Sequence, residues 1–183
     1  LHDHETIVDK KDVRLIGFGY YAGVIGTYNG LRALGIKDKL FDLPKACDLK
    51  DREEFNLELK KIVLPNIKIV LTGRGRVGSG AKEVLDYLNI KQVDVDQYLN
   101  NSFDYPVYVN IDVLDYNSRK DNLNSTVKDF YNKPEDYVST FMKFSKSTDM
   151  FIAGHYHNPK APKIISKENI SSEDFNIKVI ADI

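Results

Sequence analysis

Hydrophobic positions along this chain fall into two regimes, short continuous apolar runs and longer stretches in which apolar residues recur every three or four positions. Residues 67–72 predict a strand buried on both faces of a sheet, residues 148–154 a buried strand, and FNIKVIADI at the carboxyl end a final strand. YPVYVNIDVLDY, with Pro106 near its start, alternates as a strand or edge hairpin does, and residues 91–95 read as a further short strand. Helical spacing appears in DREEFNLELKKIVLP, where Phe55, Leu57, Leu59, Ile62 and Val63 are apolar, Asp51 offers an N-cap and Pro65 closes the segment. It appears again after Pro134, in EDYVSTFMKFSKS, whose Tyr137, Phe141 and Phe144 make a stripe suited to a core. Residues 97–104 read as a short helical or loop connection, residues 117–133 as a polar surface excursion, and ISKENI as a short helix. Strands alternating with helices predict an α/β architecture: a Rossmann-like doubly wound, mostly parallel sheet with helices on both faces. Residues 1–36 form a connector and an interdomain packing helix in this reading. Residues 37–183 form the nucleotide domain, cut at its carboxyl end because the last strand lacks its exit loop.

The strand at residues 67–72 is followed at once by Gly73, Gly75 and Gly78, a G-x-G-x-x-G loop, with Gly80 as a fourth small position. In a dinucleotide site the first glycine permits the turn, the second lets backbone approach the pyrophosphate, and the third admits close packing of helix on strand. A helix opening near Val77 and running to about Asn89 would point free N–H groups and its positive pole at that anion. The second half of this fingerprint is an acid about twenty positions on that binds the ribose hydroxyls. Asp94 and Asp96, closing the short strand, fit that spacing. An acid there repels a 2′-phosphate, so NAD is the expected cofactor, with NADP the alternative that Arg76 would favour. Arg74 and Arg76 either brace phosphate or are solvated.

A second glycine run competes for the same role. RLIGFGYYAGVIGTYNGLRALGIKDKLFDLP contains Gly17 and Gly19, a helix to about Leu34 and a candidate strand at residues 39–43 holding Asp42. Only Val13, Leu15 and Ile16 precede its glycines, however, and Gly19, Gly23, Gly26 and Gly30 recur at helical spacing. That spacing suits a helix packed closely on its neighbour.

Acidic and basic residues number 27 and 26 over 183 positions, so no field recommends nucleic acid or an anionic membrane, and no apolar run spans a bilayer. The one cysteine, Cys47, excludes an internal disulfide framework and, with no signal peptide in view, points to the cytoplasm. His155 and His157 follow a strand two positions apart, as metal ligands sometimes do, but only His2 and His4 remain to complete a set, so no metal site is expected. A loop leaving the carboxyl end of a strand beside the glycine-loop strand borders the cofactor crevice, which places Gly154, His155, Tyr156 and Asn158 near the nicotinamide. Ordinary loop polarity is the alternative. No nucleophile elbow supports a hydrolase.

RLIGFGYYAGVIGTYNGLRALG, LTGRGRVGSGAKEVL, NKPEDYVSTFMKFSKSTDMFIAGHYHNPKAPKIISKEN and KVIADI together resemble the central domain of the lysine–ketoglutarate reductase and saccharopine dehydrogenase family, relatives of alanine dehydrogenase and the transhydrogenase nucleotide domains. The resemblance assigns the Gly17 segment to interdomain packing. It assigns cofactor binding to Gly73, Arg74, Gly75, Arg76, Val77 and Gly78, with Asp94, Gly154 and His155. It implies hydride transfer between NAD(P)H and an imine built from an amino acid and a keto acid, with catalytic lysine and histidine side chains supplied by an amino-terminal domain upstream of Leu1. It is compatible with a homo-oligomer. His155 and Tyr156 stand where the family often carries a Tyr-Trp pair. A nucleotide-sensing or interaction module without catalysis is the opposing class.

Overall fold

The computed structural model describes residues 3–183; Leu1 and His2 lie outside them. In chain order the elements are α1 (Gly19–Asp38), α2 (Arg52–Leu59), β1 (Lys68–Thr72), α3 (Arg76–Tyr87), β2 (Lys91–Gln92), α4 (Val95–Asn100), β3 (Val107–Ile111), β4 (Asn117–Arg119), α5 (Val127–Asn132), β5 (Tyr137–Ser139), α6 (Met142–Ser145), β6 (Met150–Ala153), α7 (Lys167–Ile170) and β7 (Val179–Asp182). Five strands make one parallel sheet in the order β2-β3-β1-β6-β7, while β4 and β5 pair antiparallel beside it.

Because side chains alternate across a strand, each central strand feeds two cores. Ile69 and Leu71 of β1, Tyr108 of β3 and Ile152 of β6 pack beneath α1, α2 and α3. Val70, Val109, Phe151 and Ala153 face the other way, toward Tyr98 of α4, Phe130 of α5 and Phe141 and Phe144 around α6. Each such aliphatic side chain contributes about 1.5–3 kcal/mol by leaving water. Helices on both faces of a parallel sheet are what the sequence predicts.

The Gly19–Gly30 stripe is a packing face. A Cβ on Gly23 would stand 1.9 Å from the Val77 carbonyl oxygen, and one on Gly80 would stand 1.9 Å from that of Tyr20, so α1 and α3 cross with their backbones in contact. Gly26 lies against Ile183, and Gly30 against Met150 and Ala181. The rival nucleotide unit dissolves on this geometry: residues 39–43 form no strand, and the segment before Gly17 carries an isolated antiparallel bridge between Val8 and Arg14 in place of a strand of the sheet.

Three elements differ from expectation. The strand at residues 91–95 shrinks to β2, both of whose residues are exposed, because Asp94 starts α4. The Asp51-capped helix stops at Leu59, short of Ile62, Val63 and Pro65, whereas YPVYVNIDVLDY gives its expected strand, β3, inside the sheet, with Lys68 of β1 opposite Val107 and Thr72 opposite Ile111. The helix expected after Pro134 splits into a 3-10 turn (Pro134–Asp136), β5 and α6. The run Val138–Ser139–Thr140 favours extended backbone, and the Thr140 N–H donates to the Tyr116 carbonyl at 2.8 Å. Tyr137, Phe141 and Phe144 still face the core. The polar excursion carries β4 and α5.

Candidate nucleotide-binding crevice

Each glycine of the loop meets a different constraint. Gly73 turns with φ of 89°, a region that glycine enters without the steric cost other residues bear, and its N–H donates to the Ile111 carbonyl at 3.2 Å. A Cβ on Gly78 would sit 2.2 Å from the Gly73 carbonyl oxygen, which holds the first turn of α3 against β1. Gly154 closes the junction from β6: its N–H donates to the Thr72 carbonyl at 3.1 Å, and a Cβ there would press on Thr72 and Gly78. At Gly75 a Cβ would meet nothing within 4 Å. Space is thus open at Gly75, the second glycine of the motif, while Gly73, Gly78 and Gly154 are closely packed.

The helix behind this space starts without a side-chain cap. Asp51, Asp94, Thr126 and Ser166 cap α2, α4, α5 and α7 with their side chains, whereas α3, like α1 and α6, has no side-chain cap: it begins on Gly75, and its first turn carries no acid. Its leading N–H groups and the positive end of its dipole face the space above Gly75. Val77 serves mainly as packing, its side chain near Gly19 and its carbonyl against Gly23.

The two loop arginines separate. Arg76 turns toward the segment leading into α1, its guanidinium beside Gly17. Arg74 reaches over the end of β3, 3.6 Å from Asp112 and 3.9 Å from Asp115. The Asp112 N–H donates to the Asp115 carboxylate at 2.7 Å, and the Val113 N–H donates to Asp112 Oδ1 at 2.7 Å, leaving Asp112 Oδ2 toward Arg74.

Strand order moves the acidic position. In a doubly wound nucleotide fold the ribose acid ends the strand beside the glycine-loop strand. Here that strand is β3, which Asp112 follows directly; β2 pairs with β3 alone and stands at the sheet edge, two strand spacings, roughly 10 Å, from β1. Asp94, expected to bind ribose, instead accepts the Gln97 N–H at 2.8 Å in a capping box that starts α4. Asn110, on β3 ahead of Asp112, has a shielded side-chain oxygen with no partner among the described residues. Sequence spacing does not single out Asp112; the place of its strand beside β1 goes with VYVNI being a stronger buried run than KQVDV.

His155 lies on the β6 side of the same junction. Its Nδ1 is 2.7 Å from the hydroxyl of buried Thr72, and its ring meets Tyr116 edge-on with centroids 6.0 Å apart. Burial pushes its pKa below the ordinary imidazole value, the charge of His157 adds to this, and Asp182 opposes it. Phe151, Ala153, Ile180, Asp182, Lys163 and the two histidines line an open concavity of about 420 Å3. Among the described residues, no group of three or more His, Cys, Asp or Glu could hold a metal ion; His2 lies outside them.

No protein-family model matches the chain. Over an alignment of 197 residues covering 94% of it, the chain is 26% identical to the mitochondrial alpha-aminoadipic semialdehyde synthase of Bos taurus and 27% identical to that of Rattus norvegicus. It spans 21% of the length of each of these relatives. The matches bear out the family resemblance drawn from the sequence motifs.

Proposed function

We propose that this chain, a relative of the alpha-aminoadipic semialdehyde synthases, is the nicotinamide-dinucleotide-binding domain of an oxidoreductase that acts on an amino-acid-derived imine. The observation that carries this reading is the open position at Gly75 set among close-packed Gly73, Gly78 and Gly154, at the head of a helix with no side-chain cap. The residues fit the group: Gly73 to Gly78 would hold the pyrophosphate through backbone N–H groups, and Asp112 the adenosine ribose hydroxyls. Bound there, the nicotinamide would supply or accept hydride. Gly154 and His155 would border its reactive end and limit water beside it. Proton transfer to the substrate falls to side chains outside this chain, so the domain alone binds cofactor without turnover.

Asp112 also sets the choice of cofactor. A carboxylate at the ribose position accepts hydrogen bonds from two hydroxyls and repels a 2′-phosphate, and Arg74, held against Asp112 and Asp115, is neutralised as a phosphate receptor. NAD(H) is therefore preferred over NADP(H). Thermal unfolding with each cofactor tests this: NADH should raise the midpoint more than NADPH, and Asp112→Asn should narrow the gap. No shift with either cofactor would overturn the reading, and a larger shift with NADPH would overturn the preference.

A further inference from the structure

Three observations meet at His155. Its Nδ1 stands 2.7 Å from Thr72 Oγ1, which is itself 3.4 Å from the Ile152 carbonyl oxygen. The Thr72 hydroxyl reaches both acceptors with a single proton; given to Nδ1 across the shorter contact rather than to the Ile152 carbonyl, it leaves the imidazole proton on Nε2. Next, His155, Asn117, Tyr116, Phe130 and His157 help line a small, partly open cavity with room for no more than about one water molecule. Finally, Asn117 is only 5% exposed; its Nδ2 donates to the Val113 carbonyl at 2.9 Å, while its Oδ1 has no partner among the described residues. Buried amide oxygens are ordinarily satisfied, often by an ordered water with two to four polar neighbours.

We propose that this cavity binds one water, which accepts from His155 Nε2–H and donates to Asn117 Oδ1, so that Thr72, His155, water and Asn117 form one hydrogen-bonded chain from β1 to β4. His155 is then a positioning residue held as the neutral Nε2–H tautomer. Its own backbone supports the Gly73 turn: a Cβ on Gly73 would stand 2.8 Å from the His155 Cα and 2.6 Å from the Gly154 carbonyl oxygen. The chain of bonds therefore fixes the height of the loop on which the pyrophosphate would rest, a last link that depends on the cofactor reading above. The charged and titratable groups near the ring are His157 on its own loop, Lys163 in the following loop, Asp182 on β7 and Tyr116 after β3. Burial and His157 both favour the neutral ring.

Long-range proton–nitrogen NMR of the imidazoles at pH 7.5, with NADH titrations, tests the proposal. The expected result is a single Nε2–H tautomer for His155 in the wild type, exchange between tautomers in Asn117→Ala and Thr72→Val, and NADH affinity about fivefold weaker in Asn117→Ala, the order of one lost water-mediated bond. An Nδ1–H tautomer in the wild type, or a tautomer unmoved by Asn117→Ala, overturns it. Equal NADH affinity in wild type and Asn117→Ala overturns the positioning role. A locked Nε2–H tautomer in a wild type that binds no NADH supports the water site and defeats the cofactor reading alone. The wild-type tautomer decides the proposal even if a variant does not fold.

Discussion

Gly75 and Gly78 stand three positions apart in one loop yet meet opposite surroundings, so the same substitution should separate binding from folding. Gly75→Ala adds a methyl to open space at a φ that alanine tolerates, and stability should stay within about 0.5 kcal/mol while NADH affinity falls roughly tenfold. Gly78→Ala drives a methyl into the Gly73 carbonyl and should cost about 2–3 kcal/mol in urea unfolding. The two acids separate in the same manner. Asp94→Ala removes an N-cap and should cost about 1 kcal/mol with NADH affinity unchanged, whereas Asp112→Asn should weaken NADH with little effect on stability. His155 makes a pH prediction. Its pKa is lowered in the folded state, so the unfolded chain takes up the proton first; the contribution is fully present above the unfolded value of 6.5 and is lost as pH falls from there through the lower folded value. His155→Gln should flatten that acid-side loss in unfolding measured between pH 7.5 and 5.

Between elements, the crossing of α1 on α3 carries the amino-terminal segment into the sheet core, because glycine at residues 23 and 80 removes the side chains that would hold the backbones apart. Gly23→Ala should lower stability by about 3 kcal/mol, seen as a fall in unfolding midpoint, since the obstructing Val77 carbonyl is backbone and cannot move aside. The glycine spacing that announces this helix was legible in the sequence, as were β1, β6, β7 and the Asp51-capped start of α2, though not its end at Leu59. These are continuous apolar runs or capped periodic segments, whose signal is local. The place of β3 was not legible, because lateral order in a sheet is decided by which strand has enough buried surface to displace a rival. VYVNI has it and Lys91–Gln92 does not, yet both satisfy a strand pattern. The division after Pro134 was hidden for a related reason: an aromatic stripe at Tyr137, Phe141 and Phe144 reaches the same core from a helix or from a strand followed by a turn.

Over the whole molecule, one parallel sheet brings the ends of β1, β3 and β6 together, and every candidate contact lies at that carboxyl edge: the loop from Gly73 to Gly78, Asp112 with Arg74, and Gly154 with His155. The glycine loop was readable from sequence because its spacing is local; its acidic partner was not, because that partner is chosen by strand order. The account rests on the loop receiving a dinucleotide. Calorimetric titration of the folded chain with NADH, run beside Gly75→Asp, tests this most directly. Saturable binding at one site per chain, lost in Gly75→Asp while its unfolding midpoint is retained, is the predicted result. Absence of binding to the folded wild type, or equal binding by Gly75→Asp, would contradict it.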